Sequence, residues 1–380
     1  MNLLIFSPYY PPHTGGLESH SEEFNRSLAK SGVLITVFTP NLPVSTITGE
    51  ETIPGIHVIR YPAFEIVSNF PAPKVWLPLF WKQFLLLKKT DFNFVISRTR
   101  FFLTSFLALA FAKWQNLPLI HIEHGSDFVQ LSSRLKSFIA KIYDLSIGRL
   151  IFRSAKINIS ISLAVQKFVT RFDKRASPVI YRGIDFSAID SASANETLKR
   201  RFAGKIILST VARLYHWKGI SLSIEAIRKL PNHIRSKIVF LIVGDGEDFE
   251  HLKQLSKELP VVMLGRCKNE EAIGVLKISD IYLHSSFPGG GLSTSLLEAL
   301  ACGIAVIATR NEGAEEVIIN AKNGTLLGTP DSTLIQKAIE DLFSDAAKRQ
   351  SYGQIAKQTV REQFSWERTA EAYLKLLRTL

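Results

Sequence analysis

The chain alternates short, almost wholly apolar runs with longer stretches in which apolar residues return every three or four positions. The first run, "NLLIFSPYY", stops at prolines; "PPHTGGLESHSEEFNRSLAKSG" then reads as a turn, a helix and a glycine stop, and "VLITVFTP" is a second run. A helix that carries the chain from one buried strand to the next returns it to the starting edge, so strands joined this way lie parallel. "FNFVISR", a helix around residues 101–112, "LPLIHIEHG", a long basic helical region, "KINIS" and "SPVIYRGID" keep the rhythm. The text then turns small and polar in "FSAIDSASANETLKRRFAG", which reads as a linker or excursion. Beyond it the alternation restarts: "KIILSTVAR", "KIVFLIVGDG", "PVVMLG", "DIYLHSS" and "IAVIAT" are strands separated by amphipathic helices, and the tail from "DSTLIQKAIEDLF" to "SWERTAEAYLKLLRTL" is helical.

A rhythm interrupted once in 380 residues predicts two α/β domains, each long enough for its own core. The expected architecture is two Rossmann-like domains, residues 1–185 and 186–360, facing across a cleft. Ligands of open parallel sheets sit outside the carboxyl ends of the strands. A two-part substrate, one part on each domain, suits a transfer enzyme better than a single-ligand receptor.

Composition narrows the partners. Two cysteines, Cys267 and Cys302, leave no disulfide framework and no four-ligand zinc pattern, so a cytoplasmic setting is expected. The run "FFLTSFLALAFAKW" is short for crossing a bilayer and reads as a core helix. The formal charge of +12 implies an anionic partner, and it is uneven: residues 1–190 hold 21 Lys plus Arg against 13 Asp plus Glu. Within that half, "RLKSFIAKIYDLSIGRLIFRSAK", Arg134 to Lys156, interleaves six basic residues with Phe, Ile, Tyr and Leu. It suits either an anionic membrane surface or a helix packed through its apolar stripe with a solvated basic face. Nothing in the chain reads as a specific nucleic-acid motif.

Candidate chemistry collects where strands end. "ARLYHWKGI" places Arg213 and Lys218 in a short loop between strand and helix, two cations that suit a diphosphate or surface salt bridges. "VGDGEDF" puts Gly244 and Gly246 at another strand end, where glycine permits close backbone approach. In "FPGGGLSTSLLEALACG" the glycines Gly289, Gly290 and Gly291 can bring N–H groups against a sugar or phosphate, and the helix start at Leu292 and Ser293 offers further donors. Glu298 follows among leucines and alanines. It is either the acidic partner of Ser295 in a capping box or an acceptor for ribose hydroxyls. Gly15 and Gly16 lie on the first strand-to-helix loop, and His124 directly follows an apolar strand, placed to bond a sugar hydroxyl or move a proton. His121, Glu123 and His124 do not by their spacing make a metal site.

Together, "ARLYHWKG", "IVGDGEDFEHL", "VMLGRC", "SDIYLHSS", "GGLSTSLLEALACGIAVIAT" and "FSWERTAEAYLKLL" resemble the GT-B-fold retaining glycosyltransferases of family 4, glycosyl transferases group 1, over nearly the whole chain. The resemblance implies transfer of a sugar from a nucleotide-activated donor, a UDP-sugar or GDP-sugar, to a glycan or lipid-linked acceptor with retention of anomeric configuration and without a metal ion. Cell-envelope or exopolysaccharide synthesis at the inner face of the cytoplasmic membrane is the setting it suggests. It also implies that Arg213 and Lys218 hold the donor diphosphate, that Glu298 contacts the ribose, that the loop at Gly265 and Arg266 approaches the base, that Gly15 and Gly16 face phosphate, that His124 lies near the reacting sugar, and that the helix at 361–380 crosses back to the first domain. One departure stands out: family members carry a second glutamate eight positions before Glu298, and here that position is Gly290. Arg182-Gly183 likewise replaces the usual Asn-Gly.

Two other classes fit parts of this pattern. The missing glutamate suits a glycosyltransferase-like protein that binds or regulates without turnover, and a nucleotide-sugar epimerase on a related fold would use the same phosphate contacts without an acceptor.

Overall fold

The computed structural model describes residues 1–13, 16–43, 48–67, 70–128, 134–288, 292–311 and 313–380. These residues divide by packing into two compact units, Met1–Gly183 with Trp366–Leu380, and Ile184–Ser365. The expected site glycines Gly15, Gly290 and Gly291 lie outside the described residues.

In the first unit the described strands are β1 (Asn2–Phe6), β2 (Leu34–Pro40), β3 (Gly49–Ile53), β4 (Ile56–Tyr61), β5 (Ala63–Val67), β6 (Phe70–Pro73), β7 (Phe94–Arg98), β8 (Leu119–Glu123) and β9 (Ile157–Ser160). Seven of them form one sheet in the order β3-β4-β2-β1-β7-β8-β9, parallel except for β3, and β5 pairs with β6 as a separate hairpin. Successive side chains of a strand point to opposite faces, and β1 shows the result: Leu3 and Ile5 join one core cluster, Leu4 and Phe6 the other. Helices Gly16–Lys30, Leu163–Val169 and Trp366–Leu377 cover the first face. Helices Pro78–Leu86, Leu103–Trp114 and Arg149–Ser154 cover the second. Burial on both sides is why these strands read as unbroken apolar runs.

The second unit holds β10 (Ile206–Val211), β11 (Ile238–Val243), β12 (Val261–Gly265), β13 (Ile281–His284), β14 (Ala305–Thr309) and β15 (Thr325–Leu327), all parallel, in the order β12-β11-β10-β13-β14-β15. Strand order reverses at β10, as it does at β1 in the first sheet. In open parallel sheets such a switch point opens a crevice at the carboxyl ends.

The last helix, Trp366–Leu377, belongs to the first unit. Trp366 donates from Nε1 to Glu23 (2.6 Å), Ser27 donates to the Trp366 carbonyl (3.0 Å), and Tyr373 meets Phe24 edge-on at 4.7 Å.

Three expectations need correction. The polar stretch after Asp185 is two short helices, Phe186–Ser191 and Glu196–Arg201, and no linker; Asp185 and Asn195 cap them by accepting from the backbone of Ala188 and Leu198, and Ile189 is buried. "SPVIYRGID" makes only isolated bridges, Val179 to Ser160 and Ile184 to Ser365. Residues 49–73, which the periodicity leaves without elements, supply β3 to β6. β3 is short and polar because it is an exposed edge, whereas β4 is buried inside the sheet and β5 and β6 pair apart from it.

Candidate active site

In the second unit the loops after β10, β11 and β13 meet at the switch point. After β10 the chain runs through Arg213 to a single 3-10 turn, His216–Lys218, then Gly219, which starts helix Ile220–Lys229 with φ of +61°. A Cβ there would collide with the Ser285 carbonyl, so only glycine lets the Lys218 turn lie this close to the strand. Ser285, just past β13, donates its hydroxyl to the Gly219 carbonyl (2.9 Å) and accepts from Ser223 (3.0 Å); Phe287 N–H donates to the Trp217 carbonyl (2.8 Å). The Lys218 turn is thus laced to the segment that enters the glycine run. Lys218 is half-buried, its Nζ 4.1 Å from the centre of the Trp217 ring, and Arg213 is exposed.

Gly246 sits beside the same loop. The Leu214 N–H donates to the Asp245 carbonyl and the Asp248 N–H to the Leu214 carbonyl (both 2.9 Å), and a Cβ on Gly246 would lie 2.6 Å from Leu214 O. Its close approach is to the protein's own Arg213 loop. Arg266 is exposed at the end of β12 beyond Gly265, whose φ is +71°.

The helix after the glycine run spans Thr294–Cys302, with Ser293 as N-cap and no side-chain capping bond there. Leu292 is buried. The capping box between Ser295 and Glu298 does not form: Ser295 is already helical, and its hydroxyl pairs with Tyr282 (3.0 Å) and Ser293 (3.1 Å). Tyr282 also donates to the Val211 carbonyl (3.2 Å), which fixes this helix start against the end of β10, and burial pushes its phenol up to about 12. Glu298 is buried one turn further along.

In the first unit a denser polar network surrounds His124. Glu123, the last residue of β8, is fully buried. Its carboxylate accepts from the backbone N–H groups of His124 (2.9 Å), Gly125 (2.7 Å) and Arg100 (3.1 Å), from His121 Nε2 (3.2 Å), and pairs with the Arg100 guanidinium (3.2 Å). Burial pushes this carboxyl up, but Arg100, His121 and the Gly125 N–H outweigh it and hold it well below the usual carboxylate range. Arg100 also bonds Asp144 (2.9 Å), whose pKa burial raises to about 6 against the pull of that arginine. His121, read from sequence as a strand residue, lies in β8 with Nδ1 on the Ser97 hydroxyl (2.8 Å).

A second buried arginine, Arg98, ends β7. It donates to His20 Nδ1 (3.0 Å), Ser21 (3.0 Å) and Asn25 (3.2 Å), all on helix 16–30, and stacks over Phe24 at 4.6 Å. His20 meets the His124 ring edge-on at 4.7 Å. Burial first, then the Arg98 charge, pushes His124 down to about 3, and His20 is likewise lowered well below its ordinary value. Both rings are neutral near neutrality. His124 Nε2 is buried and has no hydrogen-bond partner among the described residues. Gly16 opens helix 16–30 with no atom within 4 Å of a Cβ position.

Arg213, Lys218, Gly246 and the approach to Ser293 therefore gather at one switch point, while Gly16 and His124 lie in the first unit. Sequence reasoning missed Ser285, Tyr282, Arg98, Arg100 and His20. The signal for Glu123 was present in "HIEHG", a carboxylate at the end of an apolar strand before a glycine.

Comparison with known proteins gives these residues their context. Residues 195–359 match the family model for glycosyl transferases group 1, and residues 14–188 match that for Glycosyltransferase Family 4. An uncharacterized glycosyltransferase of Methanocaldococcus jannaschii is 40% identical over 388 residues, covering 100% of this chain and 99% of its own. A lipopolysaccharide core biosynthesis glycosyltransferase of Rhizobium meliloti is 29% identical over 175 residues, 45% of this chain and 49% of its own. Among solved structures, Anabaena HepE in complex with UDP-glucose superposes with a TM-score of 0.78 at 19% identity, covering 100% of both chains. The chain belongs to the group 1, family 4 glycosyltransferases and has their GT-B fold of two Rossmann-like domains.

Proposed function

We propose that the protein transfers a sugar, with retention of configuration and without a metal ion, from a nucleoside-diphosphate donor to a glycan or lipid-linked acceptor in cell-envelope or exopolysaccharide synthesis. The second unit holds the donor and the first the acceptor. The observation that carries this reading is the lacing of the Lys218–Gly219 turn to Ser285 and Phe287, which gathers cations and a helix start at one strand end. Arg213 and Lys218 bind the diphosphate and neutralise it as it leaves, joined by N–H groups at Leu292 and Ser293, and by Gly290 and Gly291 of the glycine run. Glu298 accepts from ribose hydroxyls, Gly246 keeps the Arg213 loop in place, and the Arg266 loop borders the base, uracil or guanine. Gly15 and Gly16 border the phosphates from the first unit.

In the reacting step the bond from the anomeric carbon to the phosphate oxygen breaks, the acceptor oxygen bonds that carbon from the same face, and the acceptor proton passes to the departing phosphate oxygen. His124, neutral, bonds a sugar hydroxyl through Nε2 and takes no net proton. HepE, solved with UDP-glucose, makes a UDP-sugar the first donor to try. The Rhizobium lipopolysaccharide relative favours an envelope acceptor. The basic first half favours a peripheral position on the cytoplasmic membrane.

Calorimetry with a panel of UDP- and GDP-sugars tests the donor site. Arg213→Ala and Lys218→Ala should each weaken binding and lower turnover about 10²-fold, the cost of removing one group that stabilises developing charge. Wild-type kinetics in both variants would remove the donor site from this loop. Tight donor binding with no transfer to membrane extracts would favour the non-catalytic reading that Gly290 raises, and a changed sugar with donor and water alone would favour an epimerase.

A further inference from the structure

Large apolar side chains are exposed unevenly in this molecule. Of the twenty-one exposed among the described residues, eighteen belong to the first unit. Helix Arg134–Tyr143 and the turns after it present Leu135 (67% exposed), Phe138 (60%), Ile139, Ile142, Leu145 and Leu150. That is a stripe at helical spacing turned outward instead of into a core.

A second patch is not announced by the sequence. Trp76 (65%), Trp81 (50%) and Trp114 (49%) stand exposed with Leu79 and Leu85. Trp81 is held by its Nε1 on the Val75 carbonyl (2.8 Å). The Trp114 ring lies parallel to Phe84 at 6.1 Å, and Lys88 Nζ is 4.5 Å above it. Helices 78–86 and 103–114 pack inward on one core cluster as a layer on one face of the sheet, and helix 149–154 joins that cluster through Ile151 while its Phe152 packs in the cluster of the other face. Tyr143 reaches that layer by meeting Phe101 at 6.1 Å.

Charge says what covers this layer. Residues 66–90 hold four lysines and no acid, residues 101–118 one lysine and no acid, and residues 134–156 six basic residues with one acid, Asp144, which is buried under Arg100. Glu18, Glu22 and Glu23 on helix 16–30 and Glu367 and Glu371 on helix 366–377 lie on the opposite layer, Glu50 and Glu51 on the edge strand β3, and Glu65 and Asp91 border the first lysine stretch in sequence. A second copy of a +12 chain would bring the same acid-free surface against itself. Tryptophan and lysine around exposed leucine suit a bilayer interface, where the rings sit at headgroup depth and the cations meet lipid phosphate. No described helix is long and apolar enough to cross a membrane.

We propose that this layer is the docking face for an anionic lipid bilayer, inserted through Trp76, Trp81 and Trp114 as well as through Leu135 and Phe138. The inference rests on the membrane position proposed above and names the face responsible.

Sedimentation of the full chain with phosphatidylcholine vesicles, with and without about a third phosphatidylglycerol, tests it. The chain should sediment with the anionic vesicles, less so as salt rises, and its tryptophan emission should shift to the blue. Trp76→Ser/Trp81→Ser and Leu135→Ser/Phe138→Ser should each weaken vesicle binding about tenfold or more, the loss of ~1.4 kcal/mol, while thermal melting and nucleotide-sugar binding stay as in the wild type. If the first pair of substitutions leaves sedimentation and the blue shift intact, the layer is not the docking face although the protein is peripheral. If the wild type ignores anionic vesicles, both the face and the membrane position fail. Self-association abolished by the same substitutions, without vesicle binding, would make a second copy the occupant and overturn the proposal.

Discussion

The Glu123 carboxylate faces three backbone N–H groups, one imidazole and one guanidinium, with no water-exposed surface of its own. It fixes the position of His124 by holding that residue's own amide. In Glu123→Gln the charge disappears and an NH2 group is turned toward donors, leaving Asp144 as the carboxylate paired with Arg100. Breaking a buried pair from one side costs about 3–5 kcal/mol, so urea unfolding should show a loss of that order. Turnover should fall further than donor affinity, because the donor's diphosphate is assigned to the other unit. A variant as stable as the wild type would mean that the carboxylate does not clamp the loop.

At the scale of elements, the Lys218 turn depends on one residue without a side chain. Gly219→Ala would place a Cβ at φ of +61°, which costs about 1–2 kcal/mol by itself, and drive it into the Ser285 carbonyl. Each kcal/mol corresponds to roughly 2–4 °C for a domain of this size, so the melting midpoint should drop by several degrees and nucleotide-sugar affinity with it. Ser285→Ala removes the hydroxyl contacts to Gly219, Lys218 and Ser223 without a clash and should cost less, about 1 kcal/mol. Equal effects of the two substitutions on melting would show that close approach is not what the glycine provides. Helices formed where local chemistry favoured them, including the pair after Asp185, where caps counted for more than apolar content.

For the whole molecule, buried histidines make stability depend on pH. His124 titrates near 3 in the folded chain against an ordinary 6.5, and His20 is lowered too. Their contribution is complete above pH 6.5 and is lost as pH falls from there, because the unfolded chain takes up protons that the folded chain refuses. Asp144 has the opposite sign, since its raised value of about 6 favours the folded state as pH drops toward its ordinary 3.8. Glu123 stays ionised through that window. Thermal midpoints should therefore fall between pH 7 and pH 5, and His124→Asn should flatten the decline. An unchanged slope in that variant would place the acid sensitivity elsewhere.

The sequence by itself determined the alternation of strand and helix, the two parallel sheets and the family, because burial on both faces leaves apolar runs and crossover helices leave amphipathic ones. It also exposed candidate residues after apolar runs, with Arg213, Lys218 and His124 in strand-end loops and Glu298 inside the helix that follows the glycine run. Only the tertiary structure decided that Gly246 packs against Leu214, that Ser285 ties the Lys218 turn, and that Arg98 on β7 meets His20 on a helix 78 positions earlier. Contacts between residues so far apart leave no periodic trace. The same holds for the tryptophans: Trp114 ends a run that reads as a core helix yet stands exposed, with Trp76 and Trp81, because which side of a helix meets the sheet is settled only when the layers pack.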